Sequence, residues 1–319
     1  MLKSHFAACA IGAGLAAFWA APAYSQEYPT KPVRVITSPA GGGNDFVARL
    51  VARALTGPLG QQVVVDNRPT VLIADIVAKA PADGYTVLIS GSAHWIGPLV
   101  DKVTYDPIRD FAPITLLDRA PAVLVIHPSL PATSVKQLIG VAKARPGELN
   151  FAVGGPGSSN FMAAILFSHM AGVNVVRIPY KGSAPAMTSI MSGETQAMFA
   201  SAGGVAPHIQ SGRLRGLAVS GARPSPLAPG LPTVAASGLP GYESETLHAM
   251  LAPAKTPPAI VSRLNQEVAR YLQSGEAKDV FLKAGVDPAP SSPDELTAIM
   301  KGEMARMGKV LSAAGIGVK

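Results

Sequence analysis

The chain has 319 residues, 48% of them hydrophobic and 15% charged, with a formal net charge of +7. That length and apolar content suit a large folded core and more than one domain, and they exclude a disordered chain. The basic excess is spread thinly, with no Lys or Arg run of the kind that makes a nucleic-acid arm; it reads either as a solvated surface or as a bias toward anionic ligands or partners.

The first segment reads as a leader. Lys3 supplies a positive start, residues 6–21 are apolar and rich in Ala, and Ala23-Tyr24-Ser25 fits a small-x-small cleavage site, so residues 1–25 are expected to be a signal peptide cut after Ser25. A retained membrane anchor is the rival reading, opposed by Gly12, Gly14, Pro22 and the polar Gln26-Glu27 that follow so closely. Cys9 falls inside this leader, so the exported chain has no cysteine, which excludes disulfides and thiol catalysis.

Next comes the β-branched run Val33-Arg34-Val35-Ile36-Thr37, then Ser38-Pro39-Ala40-Gly41-Gly42-Gly43-Asn44-Asp45-Phe46. Asn44 or Asp45 suits the N-cap of a helix in which Phe46, Val47, Leu50, Val51, Ala54 and Leu55 recur at helical spacing, with Gly57-Pro58 as its stop. Val63-Val64-Val65-Asp66 is the following strand, which makes a right-handed βαβ unit with a parallel sheet. Strands are expected again at 85–90 and 150–153, and a long extended segment at 112–127.

The opening motif recurs. After Asn150-Phe151-Ala152-Val153 comes Gly154-Gly155-Pro156-Gly157-Ser158-Ser159-Asn160, an apolar helix through Met170, then the run 173–178. Each glycine-rich loop opens a helix at the carboxyl end of a strand, where ligands lie in open α/β sheets. The first turn of a helix offers unpaired N–H groups and a partial positive charge, and glycine lets an anion approach them. The alternative is that these glycines only make tight turns. Neither loop completes a dinucleotide fingerprint, because the third glycine position falls on Phe46 in one and Asn160 in the other, and there is no Walker lysine.

Other chemistry is sparse. No G-x-S-x-G elbow occurs, and His5, His94, His127, His169, His208 and His248 are scattered without metal-ligand spacing; they read as surface or supporting residues. No close carboxylate pair invites acid/base catalysis. The composition of motifs points to holding a ligand, with no enzyme activity, cofactor or metal expected.

Several longer motifs also carry a resemblance. Tyr28-Pro29-Thr30-Lys31-Pro32-Val33-Arg34, the run from Pro39 to Asp45, Val65-Asp66-Asn67-Arg68-Pro69 and Ala82-Asp83-Gly84-Tyr85-Thr86 resemble the Bug family, the periplasmic solute receptors of tripartite tricarboxylate transporters. Pro179-Tyr180-Lys181-Gly182-Ser183-Ala184-Pro185-Ala186, Gly212-Arg213-Leu214-Arg215-Gly216, Leu231-Pro232-Thr233 and Ala252-Pro253 continue the similarity along the exported chain. It implies an α/β, two-lobed Venus-flytrap fold, each lobe a βαβ-based sheet flanked by helices. Lobe one is expected from residues 26–124 plus 250–319 and lobe two from 125–249, with crossings near 122–128 and 246–251.

The resemblance implies a site as well. Ala40, Gly41, Gly42, Gly43, Asn44 and Asp45 from lobe one, and Gly157, Ser158, Ser159 and Asn160 from lobe two, would hold a carboxylate through backbone N–H groups, side chains or bridging water. Asp45 would either cap its helix or meet a ligand hydroxyl or ammonium. Lys181 would be a cation beside the cleft or a solvated strand end, Ser183 a hydroxyl donor, and Ala200 and Ser201 would end a strand there.

Three departures stand out. The glycine-rich stretch usual after Asn67-Arg68-Pro69 is replaced by Thr70-Val71-Leu72, which would put apolar side chains in place of open backbone if it borders the cleft. Gln196 and Ala200 stand where acids are common, and Leu247-His248 replaces an aromatic residue. Together they suggest a bulkier or more apolar ligand, such as an aromatic carboxylate. The expected role is capture of an organic carboxylate (a di- or tricarboxylate, an acidic amino acid or an aromatic carboxylate) by a monomer that passes it to membrane components of the transporter, without nucleic acid. A ligand-sensing subunit for a signalling receptor and an exported enzyme using the same cleft are the rivals.

Overall fold

A computed structural model of the chain describes residues 28–41, 43–154 and 158–317. The expected leader lies outside the described residues, as do two expected site residues, Gly42 and Gly157. No described helix is long and apolar enough to cross a membrane.

The chain begins with β1 (Val33–Thr37), α1 (Gly43–Leu59), β2 (Val63–Asn67), α2 (Thr70–Ala78), β3 (Thr86–Gly91) and the short α3 (Ala93–Ile96). The long strand β4 (Phe111–Ile126) leads to α4 (Val135–Ala144), β5 (Asn150–Val153), α5 (Ser159–Ala171), β6 (Val176–Pro179), α6 (Ser183–Ser192), β7 (Ala197–Ser201), α7 (Ala202–Gln210) and β8 (Arg215–Val219). The chain returns through β9 (Glu245–Pro253), α8 (Pro258–Leu272), α9 (Gly275–Lys283), β10 (Asp287–Pro288) and α10 (Pro293–Ala313).

The two expected βαβ units form. β1 lies parallel between β2 and β3, and β5 lies parallel between β6 and β7. Two strands join these sets: β9 pairs antiparallel with β3 and then with β4, from Phe111↔Pro253 to Pro121↔Glu245. At residue 122 β4 changes partners and runs on antiparallel to β7 and β8. Fully extended, β4 would span roughly 50 Å, enough to thread both halves of a two-lobed α/β molecule.

Side chains alternate along these strands and so feed cores on opposite faces. Val35, Val87 and Ile89 join Val47, Val51, Leu55, Leu264 and Phe281 beneath α1 and α8, while Ile36 and Leu88 point the other way, toward Trp95 and α10. In β4, Leu124 and Ile126 face the aromatic cluster of the second half, and Val123 and Val125 face Ile190, Met198 and Val205. That aromatic cluster comprises Phe151, Phe167, Phe199 and Tyr242, with centroids 5.8–6.3 Å apart, and the Tyr242 hydroxyl donates to the Ala163 carbonyl at 3.0 Å. Helix α10 opens with a full capping box of Ser292 and Glu295, packs on β4 and α3, and also on α5.

Two local expectations need correction. Helix α1 starts at Gly43, and it continues through Gly57 and Pro58 to Leu59. Asn44 and Asp45 therefore sit in the first turn, and Pro58 falls inside the helix one residue before its end, where it withholds the N–H that the Ala54 carbonyl would accept. After Pro69 the chain enters α2 directly, leaving Val71 83% and Leu72 47% exposed.

His94 is also not a surface residue. Its ring stacks on Tyr105 at 5.0 Å and meets Phe111 edge-on at 4.5 Å, and burial pushes its pKa down to about 3. Because its folded pKa lies below the unfolded one, its protonation favours unfolding; stability should fall as pH drops from about 6.5 toward 3, and urea melts of His94→Phe should show a flatter slope there. Phe167→Ala, which empties the middle of the aromatic cluster, should cost about 3–5 kcal/mol in the same melts at neutral pH.

Candidate functional site

The carboxyl ends of β1, β3, β5 and β7 face one cleft between the two strand sets, floored by residues 120–122 and 244–246 where β4 and β9 cross. A cavity of about 450 Å³ is walled by Ser158, Ser159, Asn160, Ser183, Ala200 and Ser201, together with Tyr180, Met187, Met198 and Phe199. A second cavity of about 250 Å³ brings Asn44, Gly91 and Ser92 against Ser158, Ser159 and Thr246. The two share the start of α5 and the crossing segment 244–246.

The expected site residues are therefore partly gathered. Asn44, Ser158, Ser159, Asn160, Ser183, Ala200 and Ser201 line the cleft. Ala40 and Gly41, on the loop before α1, and Gly43, its first residue, are exposed and wall neither cavity, although Gly43 comes close to His248. Lys181 is exposed and walls neither cavity, whereas its neighbours Tyr180, Gly182 and Ser183 do wall the larger one. The Tyr180 hydroxyl is anchored to Ser189 Oγ at 2.6 Å, so its ring forms a fixed wall.

Asp45 does not sit at the N-cap of its helix. Its carboxylate turns back and accepts the Gly41 N–H at 2.9 Å; Asn67 Nδ2 donates to it at 2.8 Å and Arg49 Nε at 3.1 Å. Asn67 Nδ2 also donates to the Ser38 carbonyl at 2.7 Å, so the loop is tied at both ends. Burial pushes the Asp45 carboxyl up, but the bonds from Arg49, Gly41 and Asn67 outweigh it and hold the group below the usual carboxylate range. Asn160 plays the same part in the second loop, its Oδ1 accepting the Gly154 N–H at 3.0 Å and the Ser158 hydroxyl at 2.8 Å.

Gln196 and the apolar pair after Pro69 are removed from the site. Gln196 lies just before β7, at the end of that strand opposite the cleft, where its Oε1 accepts the Asn150 N–H at 3.0 Å. Only Ala200 of that pair lines the cleft, and Val71 and Leu72 wall neither cavity.

Other wall residues escaped sequence reasoning. Gly91 ends the strand β3, parallel to β1, and Ser92 follows it, so the carboxyl-end rule could have flagged them. Arg119, Glu243, Glu245, Glu303 and Arg306 form a charged network beside the crossing strands. Arg119 pairs with Glu245 at 3.0 Å, Arg306 with Glu243 at 3.4 Å and with Glu303 at 3.6 Å, and Glu303 also accepts the Trp95 indole N–H at 2.7 Å. Burial raises the Glu245 and Glu303 carboxyls, against the pull of Arg119 on one and of Trp95 and Arg306 on the other.

Chemically the arrangement suits anion capture. Helices α1 and α5 both begin at the cleft, and their first N–H groups, together with Asn44 and the serine hydroxyls, offer donors from both sides. Breaking the Asp45 clasp tests how far the first loop depends on it. Asp45→Asn should cost about 1.5–3 kcal/mol at pH 7, the value of hydrogen bonds to a charged group. Since the folded pKa is depressed, the difference from wild type should be present above pH about 4 and vanish as pH falls below it, read from urea melts across that range.

Known proteins resemble the chain in sequence and in fold. Protein BugT of Bordetella pertussis is 36% identical over 307 residues, covering 94% of each chain. An R. palustris protein solved with adipate superposes with a TM-score of 0.76 at 37% identity, over 91% of this chain and 99% of that one. MatC from Rhodopseudomonas palustris, solved with bound malate, gives 0.72 at 27% identity, over 89% and 100% of the two chains. A TctC solute-binding protein from Polaromonas, solved without ligand, gives 0.81 at 26% identity, over 90% and 99%. Residues 47–316 match the family described as the tripartite tricarboxylate transporter family receptor, and with these relatives the match shows that the chain belongs to that family.

Proposed function

We propose that this protein is an exported receptor that captures a small organic carboxylate between its two lobes and delivers it to the membrane components of a tripartite transporter. One observation carries the reading: the starts of α1 and α5 face each other across a single cleft, with Asn44 on one side and Ser158 and Ser159 on the other lining one cavity. A carboxylate at each helix start would sit where unpaired N–H groups and the helix dipole favour negative charge. Relatives solved with adipate and malate support a ligand carrying two carboxylates.

The larger cavity adds Met187, Met198, Phe199 and Ala200 beside its polar rim. Such a wall favours a hydrocarbon body between or beside the carboxylates, an aliphatic chain or an aromatic ring, over a compact hydroxy acid. Lobe one comprises residues 26–124 and 250–319 and lobe two residues 125–249, and they close about the crossing strands. Closure buries the ligand, and the closed form is the one the transporter recognises; a ligand shifts that equilibrium by its differential affinity for the two forms. Cleavage after Ser25, action as a monomer in the periplasm and the lack of turnover belong to the same reading.

Thermal unfolding of residues 26–319 with adipate, malate, citrate, glutamate and benzoate tests it. A carboxylate at a hundred times its Kd should stabilise the protein by about 2.7 kcal/mol, a shift of a few degrees in Tm. Asn44→Asp and Ser159→Asp, which set a negative charge at each helix start, should each abolish the shift while leaving the unliganded Tm within a few degrees. A panel without any shift would refute carboxylate capture.

A further inference from the structure

His248 is 5% exposed and sits on β9 directly beneath the start of α1. A Cβ placed at Gly43 would lie 3.3 Å from its Nε2, and one placed at Gly91 would lie 3.7 Å from its Cδ2 and 3.2 Å from Asn44 Oδ1. With no side chain at either glycine, the buried imidazole packs against bare backbone at the start of α1, beside Asn44, which lines the smaller cavity. Its other nitrogen, Nδ1, lies 2.7 Å from Asp118 Oδ1, a pairing arranged by the register shift between Leu116 and Asp118 that sets Asp118 opposite His248. Among the described residues, Nε2 has no hydrogen-bond partner.

We propose that His248, oriented by Asp118, is the side-chain donor that completes the carboxylate seat at the start of α1. This inference rests on the receptor reading above. Asp118 is fully buried, and its Oδ2 has no partner among the described residues, so an isolated negative charge there would be costly. The pair reaches net neutrality with two protons. Whether the inner proton resides on Nδ1 or on Asp118 Oδ1, the second is on Nε2, so the neutral pair always presents an N–H toward Gly43. Removal of that proton leaves a negative pair whose Nε2 is an acceptor, which opposes an incoming carboxylate twice over.

β3 contributes Gly91, paired with His248, and α1 contributes Gly43 and Asn44, with Asp45 turned away onto Arg49 and Gly41. From β10, Asp287 acts on Asp118 as a second negative charge; Arg119 beside it is engaged with Glu245. Carboxylate binding should therefore be linked to proton uptake at His248 wherever the free pair has lost its second proton.

Calorimetric titration of adipate and of malate into wild type, His248→Phe and His248→Gln, from pH about 6.5 to 9 in two buffers of different ionisation enthalpy, tests this. The wild type should bind more weakly as pH rises, taking up a proton at the alkaline end. His248→Phe should bind at least about tenfold more weakly, without proton uptake. His248→Gln, whose amide still donates, should recover part of the affinity and show no pH dependence. Equal affinity and equal proton count in wild type and His248→Phe would overturn the role of His248 and leave the receptor reading standing. If His248→Phe does not fold, a wild type that exchanges no proton anywhere in the range overturns it equally. Absence of binding by either carboxylate to the wild type, together with a silent thermal panel, overturns the receptor reading and this inference with it.

Discussion

The antiparallel pairing of β4 with β9 is the constraint on which the rest of the molecule depends. It is the seam at which both strand sets meet, and each set borrows its innermost strand from it. Backbone hydrogen bonds carry it from Phe111 to Pro121, and at Ala122 the task passes to Ser220. That fully buried residue bonds the Ala122 N–H and carbonyl at 2.8 and 2.7 Å and accepts the Ser244 N–H at 2.9 Å through its own carbonyl. Because the seam ends at the cleft floor, its register decides which side chains look upward. The shift before Asp118 sets that carboxylate under His248, and the neighbouring position turns Arg119 toward Glu245. Slippage by one residue would exchange the two faces.

The two loops above that floor are built alike although their sequences differ. In each, a polar residue of the first helical turn reaches back to a glycine N–H of the preceding loop, Asp45 to Gly41 and Asn160 to Gly154. Gly41 and Gly154 are thereby held in place before any ligand arrives, which lowers the entropy that binding must otherwise supply. Aliphatic and aromatic walls then form the middle of the cleft, and helix α10, packed on both β4 and α5, ties the C-terminal segment to both strand sets.

Most of the framework was legible because it rests on local periodicity. The β-branched runs at β1 and β2, the helical spacing of α1, the extended segment of β4 and the recurring glycine loops each stand out within a dozen residues. The resemblance in motifs supplied the two-lobed architecture. What stayed hidden depends on partners distant in the chain. Asp45 looked like a cap or a ligand contact, and its actual role needs Asn67 from the next strand. His248 made no sense until Asp118 and the bare backbone of Gly43 and Gly91 were set beside it. Gln196 and Ala200 are close in sequence, yet a strand separates them, so only one faces the cleft. Helix α1 takes in its expected stop, Gly57-Pro58, and ends one residue later at Leu59.

The charged side chains around the cleft are matched: Arg119 with Glu245, Arg306 with Glu243 and Glu303, Asp45 with Arg49, and Asp118 with His248. An incoming anion thus meets dipoles and shared protons at contact and, from afar, only the diffuse positive excess that remains once the leader and its Lys3 are gone, 26 bases against 20 acids. Arrival and residence then answer to different physics. Attraction through solvent fades once ionic strength shortens the Debye length, whereas N–H groups touching a buried carboxylate are scarcely screened. For a protein outside the inner membrane, whose surroundings follow the salt of the medium, such a division would let the rate of capture vary with salinity while the tightness of the hold stays nearly constant.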